Sequence, residues 1–178
     1  MKFMKKCLPV CILILIDQLI KIIIFKNLMG KEINLLGNFL GFKPYLNDKY
    51  SWINSLTDMG IGLVIHIAVV AVLLLFIFII YDFIRRRYSI NTYAYIMFMV
   101  LFAGSLCSLI DKVAWGGSLD YIWLKGFFIF DLKDVYVSIF EGMVIILFIF
   151  NKEFRDMKMK VVAKEFILYF NKKFLRKS

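Results

Sequence analysis

Four apolar stretches, at roughly 7–25, 60–81, 92–110 and 135–150, limit what this chain can fold into more than any other feature. A hydrocarbon core about 30 Å thick is crossed by ~20 apolar residues of helix, and each stretch meets or approaches that length. The last is short, and spans if it runs untilted or begins at the interface. Hydrophobic residues make up 62% of the 178, where a soluble domain carries about half. The sequence therefore predicts an all-α membrane protein with four transmembrane helices. No internal repeat or long linker divides it, so residues 1–178 read as a single integral membrane domain.

The net charge of +10 is explained by bilayer orientation, and no nucleic-acid partner is expected. Lys2, Lys5 and Lys6 precede the first span, Arg85, Arg86 and Arg87 follow the second, and a Lys-rich tail follows the fourth. With an even number of spans these groups share one side, which the excess of Lys and Arg marks as the cytoplasm. Both termini are then cytoplasmic, and the connections 26–59 and 111–134 face outward. Asp17 and Lys21 interrupt the first apolar run and no small-x-small site follows it, so it reads as a retained helix. Cys7, Cys11 and Cys107 fall within or beside spans, which leaves neither a disulfide framework nor a zinc site; packing is their reading. In the tail, 151–178, Lys alternates with apolar residues and Phe166, Phe170 and Phe174 recur at i, i+4 and i+8. That pattern predicts a C-terminal amphipathic helix lying on anionic membrane lipids.

Charged residues inside the spans need partners. In D-Q-L-I-K at 17–21, Asp17 and Lys21 stand one turn apart on one helix face and suit an ion pair. Either charge alone in lipid would cost roughly 2.5–3.5 kcal/mol. At about 1.5 Å per residue, Lys21, His66 and Glu141 lie roughly 6 to 10 Å below the outer surface, with Asp17 deeper. Together they form a polar layer, open to reading as packing groups or as the relay of a proton-linked carrier. Ala103, Gly104, Ser105 and Ser108 permit close helix approach near the outer end of the third span. Between the first two spans, Gly30, Gly37, Gly41 and Pro44 break any helix; the run 39–45 reads as a short surface strand, and Tyr45, Tyr50 and Trp52 as interfacial anchors.

The outward connection 111–134 gathers Asp111, Asp120, Asp131 and Asp134 near one membrane boundary. The runs 119–124 and 127–130 flank Lys125-Gly126, which reads as a two-residue hairpin turn. With that turn residue 124 faces 127, so Asp120 faces Asp131 and Asp134 follows shortly beyond. Two adjacent carboxyl groups cannot both ionise cheaply, so one keeps a proton. That division serves general acid and base hydrolysis, with the ionised member activating water and the neutral one hydrogen-bonding the oxygen that gains charge. By spacing alone, a solvated surface with Lys112, Lys125 and Lys133 as partners is an equal reading.

In its motifs the sequence resembles the lipoprotein signal peptidase (signal peptidase II) family, the membrane aspartic peptidases that cut prolipoproteins before a lipid-modified cysteine. D-Q-L-I-K matches the family's D-Q-x-x-K, 47–52 stands where it has N-x-G-x-x-F/W, and 104–112 where it has G-A-x-G-N-x-x-D-R. Asp120-Tyr121-Ile122 matches its first catalytic aspartate, and 130–134 matches F-N-x-A-D, whose Asp is the second. The resemblance covers nearly the whole chain. It implies that Asp120 and Asp134 are a catalytic dyad acting without metal or cofactor. It also implies that Asp17, Lys21, Asn47, Ser108, Asp111, Lys112 and Asp131 are supporting or substrate-binding residues, and that the segment near 30–50 joins a small extracytoplasmic β-sheet cradle. The implied substrate is a diacylglyceryl-modified prolipoprotein at the outer face of a bacterial cytoplasmic membrane. The sequence departs from the pattern at several points: Asp48-Lys49 follows Asn47, Cys107 and Ser108 replace Gly-Asn, Lys112 replaces Arg, Asp131 replaces Asn, and Lys133 replaces Ala. A relative that binds lipidated peptides without cutting them is the alternative, with the carrier as a third reading.

Overall fold

Each apolar stretch is helical in the computed structural model, which describes residues 2–50, 54, 57, 59–88 and 91–175, with side chains from Cys7 onward. The long helices are α1 (Lys2–Asn27), α2 (Leu63–Arg87), α3 (Thr92–Ile110) and α4 (Leu132–Phe150). Among the described residues three segments are long and apolar enough to cross a membrane: Cys7–Asn27, Leu63–Arg87 and Thr92–Trp115. The fourth, α4, has 19 residues but includes Lys133, Asp134 and Glu141, and these charges set it apart from the other three. Helix ends follow local chemistry. Asn91 caps α3, its side chain accepting from the Ala94 N–H at 2.8 Å. The second span starts three residues later than its apolar run because Gly60 is left-handed (φ 66°) and the chain is still extended at Gly62.

A four-stranded antiparallel sheet joins the helices, in the order β1 (Ile33–Leu36), β2 (Leu40–Asn47), β3 (Ser118–Leu124) and β4 (Phe128–Phe130). It unites the two connections, α1 to α2 and α3 to α4, so the residues of both meet on one surface. The expected strand at 39–45 is extended by two residues to Asn47, and β1 pairs alongside it. Trp52 lies outside the described residues.

The hairpin register differs from the expected one. Leu124 pairs with Phe128, not 127, because the loop has three residues, with Gly126 left-handed (φ 80°) and the Phe127 N–H donating to the Leu124 carbonyl at 3.0 Å. A one-residue slip reverses which face each side chain occupies. Asp120 therefore does not face Asp131; its partner is Tyr45 on β2.

Two apolar clusters hold the assembly. Val100, Ala103, Cys107 and Tyr136 pack with Val10, Leu13 and Ile14 where α1, α3 and α4 meet. Ile24, Leu119 and Tyr121 join α1 to the sheet. Gly104 is required for the α3–α4 approach, since a Cβ there would stand 3.0 Å from Val137 and 3.1 Å from the Lys133 carbonyl.

The tail is not one helix. It breaks after α5 (Lys152–Arg155) and resumes as α6 (Met159–Phe170), which continues in a wider π-helical turn, Asn171–Leu175. It also docks on protein: Phe166 lies edge-on to Phe83 at 5.4 Å, Arg87 makes two bonds to Glu165 at 2.9 and 3.0 Å, and Asp82 accepts from Arg85, Arg86, Tyr169 and Lys173. Val161, Ile167, Leu168 and Leu175 remain exposed on the outer side.

Candidate active site

Asp17 and Lys21 do form an ion pair, at 2.9 Å, but it belongs to a larger group. The Lys21 ammonium also lies 2.6 Å from Asp111 and 2.7 Å from Asp131, and all four side chains are inaccessible to solvent. Asp111 reaches this group because α3 ends in a π-helical turn, Asp111–Trp115, closed by left-handed Gly116. The wider turn points Asp111 and Lys112 inward on successive positions: Asp111 toward Lys21, and Lys112 toward Ser108, whose hydroxyl accepts at 3.0 Å.

Asp131 follows β4 and caps α4. Its side chain accepts from the Asp134 N–H while the Asp134 carboxylate accepts from the Asp131 N–H, both at 3.2 Å, a reciprocal cap. Asp134 therefore reaches the site from the first turn of a helix and not along a strand. Asp120 arrives from β3. The Ser118 hydroxyl donates to it at 2.7 Å, and the Asn47 amide on β2 donates to its other oxygen at 3.3 Å. Carboxylate oxygens of Asp120, Asp131 and Asp134 all fall within 4.8 Å of one another.

Such crowding has electrostatic consequences. Burial raises the Asp120 carboxyl above the ordinary range, with Lys133 opposing it. Burial also lifts Asp134 to about 7, again against Lys133, while the charges of Asp131 and Asp120 push the same way as burial. Asp131 is as deeply buried, but Lys133 and Lys21 override the burial and hold its carboxyl below the usual range. The three acids thus divide into one fixed anion, Asp131, and two proton-sharing groups, Asp120 and Asp134. Three carboxylates so close are a plausible donor set for a divalent ion, but the Lys133 ammonium already sits among them, 2.6 Å from Asp131 and 3.7 Å from Asp120. That cation does not fit a metal at the same point.

A cleft of about 740 Å³ opens beside Asp120 and Asp134. Its polar wall carries Asn47, Ser108, Lys112, Ser118 and Lys133; Phe128, Ile129 and Phe130 form a second wall. The third wall is the α2 face bearing Ile65, Val69 and Leu73, more than half exposed, so the cleft is continuous with the outer apolar surface of that helix. His66 lies on this wall, bonded to the Gly62 carbonyl at 3.1 Å and 5.4 Å from the Tyr50 ring. Tyr50 holds a left-handed backbone (φ 65°), a costly conformation for an aromatic residue at the mouth of the cleft.

The expected site residues thus fall into two adjoining groups. Asp17, Lys21, Asp111 and Asp131 form the buried charge group; Asn47, Ser108, Lys112, Asp120 and Asp134 line the cleft. The polar layer is not continuous, since Glu141 is exposed on α4. Sequence reasoning missed two residues. Gln18 bridges Asp17 and Asp111 at 2.9 and 3.0 Å and accepts from Trp115 at 3.1 Å. Ser118 shares a strand face with Asp120 two residues on, a period-two signal. Lys133, expected as a surface partner of the carboxylates, is instead buried among Asp111, Asp120 and Asp131.

A family model described as signal peptidase (SPase) II matches residues 9–150. Among solved structures, a bacterial membrane enzyme determined by the in meso method at 2.3 Å resolution is 22% identical, with a TM-score of 0.67, covering 86% of this chain and 92% of its own. A second such bacterial membrane enzyme, at 1.9 Å resolution, is 22% identical with a TM-score of 0.68, covering 83% and 94%. These likenesses carry the fold. No curated protein matches the chain.

Proposed function

Because the chain belongs to the signal peptidase (SPase) II family, membrane proteases of lipoprotein processing, we propose that it is an aspartic endopeptidase that removes signal peptides from diacylglyceryl-modified prolipoproteins. The observation that carries the reading is the approach of the Asp120 and Asp134 carboxylates, within 4.8 Å, on the wall of a cleft that opens along an apolar helix face. In this reading α4 is a fourth span from Val135 onward, both termini are cytoplasmic, and the sheet and the dyad lie at the outer face of the bacterial inner membrane. The acyl chains of the substrate lie against Ile65, Val69 and Leu73, and its backbone meets Asn47, Ser108 and Lys112. Asp17, Lys21, Asp111 and Asp131 hold the elements that carry the dyad.

The roles of the two acids follow from their partners. Asp120, with a donor on each oxygen, carries the negative charge; Asp134 keeps the shared proton. Asp120 takes a proton from a water as its oxygen attacks the scissile carbonyl carbon, and Asp134 gives its proton to the carbonyl oxygen. The tetrahedral adduct then collapses: the C–N bond breaks, the leaving nitrogen takes the proton held by Asp120, and the carbonyl oxygen returns its proton to Asp134. No cofactor is needed at any step.

A pH dependence follows from the raised carboxyls. With Asp134 at about 7, the shared proton is lost as pH rises through that value, so cleavage falls on the alkaline side near pH 7. At low pH both acids hold protons and water activation fails. Initial rates across pH, with a precursor of constant charge, measure both limbs. The substrate class is tested by offering two precursors that differ only in the diacylglyceryl group on cysteine. Release of signal peptide from the lipidated form alone supports the reading; equal release from both, or from neither, contradicts it.

A further inference from the structure

Lys133 is more than a filler beside the dyad. Its side chain is 8% exposed, and its ammonium meets Asp131 at 2.6 Å, Asp111 at 3.3 Å and Asp120 at 3.7 Å. It also donates to the Ser118 hydroxyl, whose own O–H donates to Asp120. The two other buried ammonium groups nearby are held elsewhere: Lys21 by Asp17, Asp111 and Asp131, and Lys112, which also feels the charge of Asp134, by the Ser108 hydroxyl.

The surrounding charges come from every element packed on this point. Helix α1 supplies Asp17 and Lys21, the π-helical turn Asp111 and Lys112, β3 Asp120 and the phenol of Tyr121, α2 His66, and the start of α4 Asp131, Asp134 and the phenol of Tyr136. Five carboxylates therefore face three ammonium groups, and removing one ammonium leaves the acids to bind protons in its place. Where the family pattern places Asn and Ala, this chain has Asp131 and Lys133, two changes that cancel in charge and meet at 2.6 Å.

We propose that Lys133 is a positioning residue for the Asp120–Asp134 dyad. Its ammonium orients Asp120 through Ser118 and sets the pH at which the dyad gives up its shared proton, with Asp131 as the partner that makes a buried lysine tolerable there. The inference rests on the dyad reading above.

The test compares the full-length wild type with K133A, D131N, D131N/K133A and K133R in one detergent or bilayer. Two quantities are read: the pH profile of precursor cleavage, and the protonated-carboxyl stretch followed by infrared titration, which needs no turnover. K133A moves the alkaline limb and the infrared transition upward by roughly 1–3 pH units, the range for loss of an opposite charge within a few ångströms. D131N moves both downward, D131N/K133A brings both back toward wild type, and K133R keeps them in place. If K133A does not fold, the double variant, D131N and K133R carry the comparison. Unmoved transitions with uniformly lower rates mean a merely structural Lys133 and overturn the proposal. Infrared transitions that move as stated in a protein whose wild type cuts no precursor would sink the peptidase reading while leaving the charge linkage standing.

Discussion

D120N and D134N each lower precursor cleavage by roughly 10²–10⁴-fold, the usual contribution of a positioned acid or base. The two substitutions act on different half-reactions. An amide at 120 cannot accept a proton from water, although it still fits between Ser118 and Asn47. An amide at 134 cannot deliver a proton to the carbonyl oxygen, although its oxygen can still accept from the Asp131 N–H and preserve the cap on α4. Neither change removes a stabilising charge, because burial already works against ionisation of both acids. The thermal midpoints of both variants therefore stay at or above that of the wild type. Loss of activity with retained stability identifies the dyad; full activity in either variant rejects it.

K21M has the opposite signature. Lys21 is fully buried and bound to three carboxylates at 2.6 to 2.9 Å, which come from α1, the π-helical turn and the start of α4. Methionine fills the volume but strands those charges, and one Asp17 oxygen already lacks a hydrogen-bond partner among the described residues. Removing one member of a buried ion group costs about 3–5 kcal/mol. K21M is expected to unfold at lower temperature or denaturant concentration by that amount, and to lose activity because it loses structure. K21R, which keeps the charge, recovers part of the stability. Equal unfolding curves for wild type and K21M would show that the group contributes nothing to the fold.

Hydropathy made the helices legible, because a span must be apolar over a length that the bilayer dictates. The boundaries were less so, since glycine conformation and capping decide them: left-handed Gly60 delays α2, and Asp131 starts α4 ahead of the apolar run. The hairpin register departs from the expected one for the same kind of reason. Lys125-Gly126 permits a two-residue turn, but Gly126 takes the left-handed place in a three-residue loop, and that moves every pairing by one. The capping signature Asp131-x-x-Asp134 before an apolar run was the available clue that Asp131 belongs to a helix. Matching charges could not reveal that Lys21 reaches Asp111 and Asp131, because contacts between residues some ninety or more positions apart depend on how helices pack. The carboxylates gather as the motif order implied, by a route through Ser118, Gln18 and a helix cap that periodicity does not encode.

The central claim is that Asp120 and Asp134 together activate one water against a peptide bond beside a lipid-modified cysteine. Its most direct test is to incubate the purified protein with a diacylglyceryl-modified precursor in ¹⁸O-labelled water and weigh the released signal peptide. The account predicts a peptide ending at the residue before the modified cysteine, with one heavy oxygen in its new carboxyl group and none formed by D120N. A wild-type protein that releases no peptide, or releases one cut elsewhere, contradicts it.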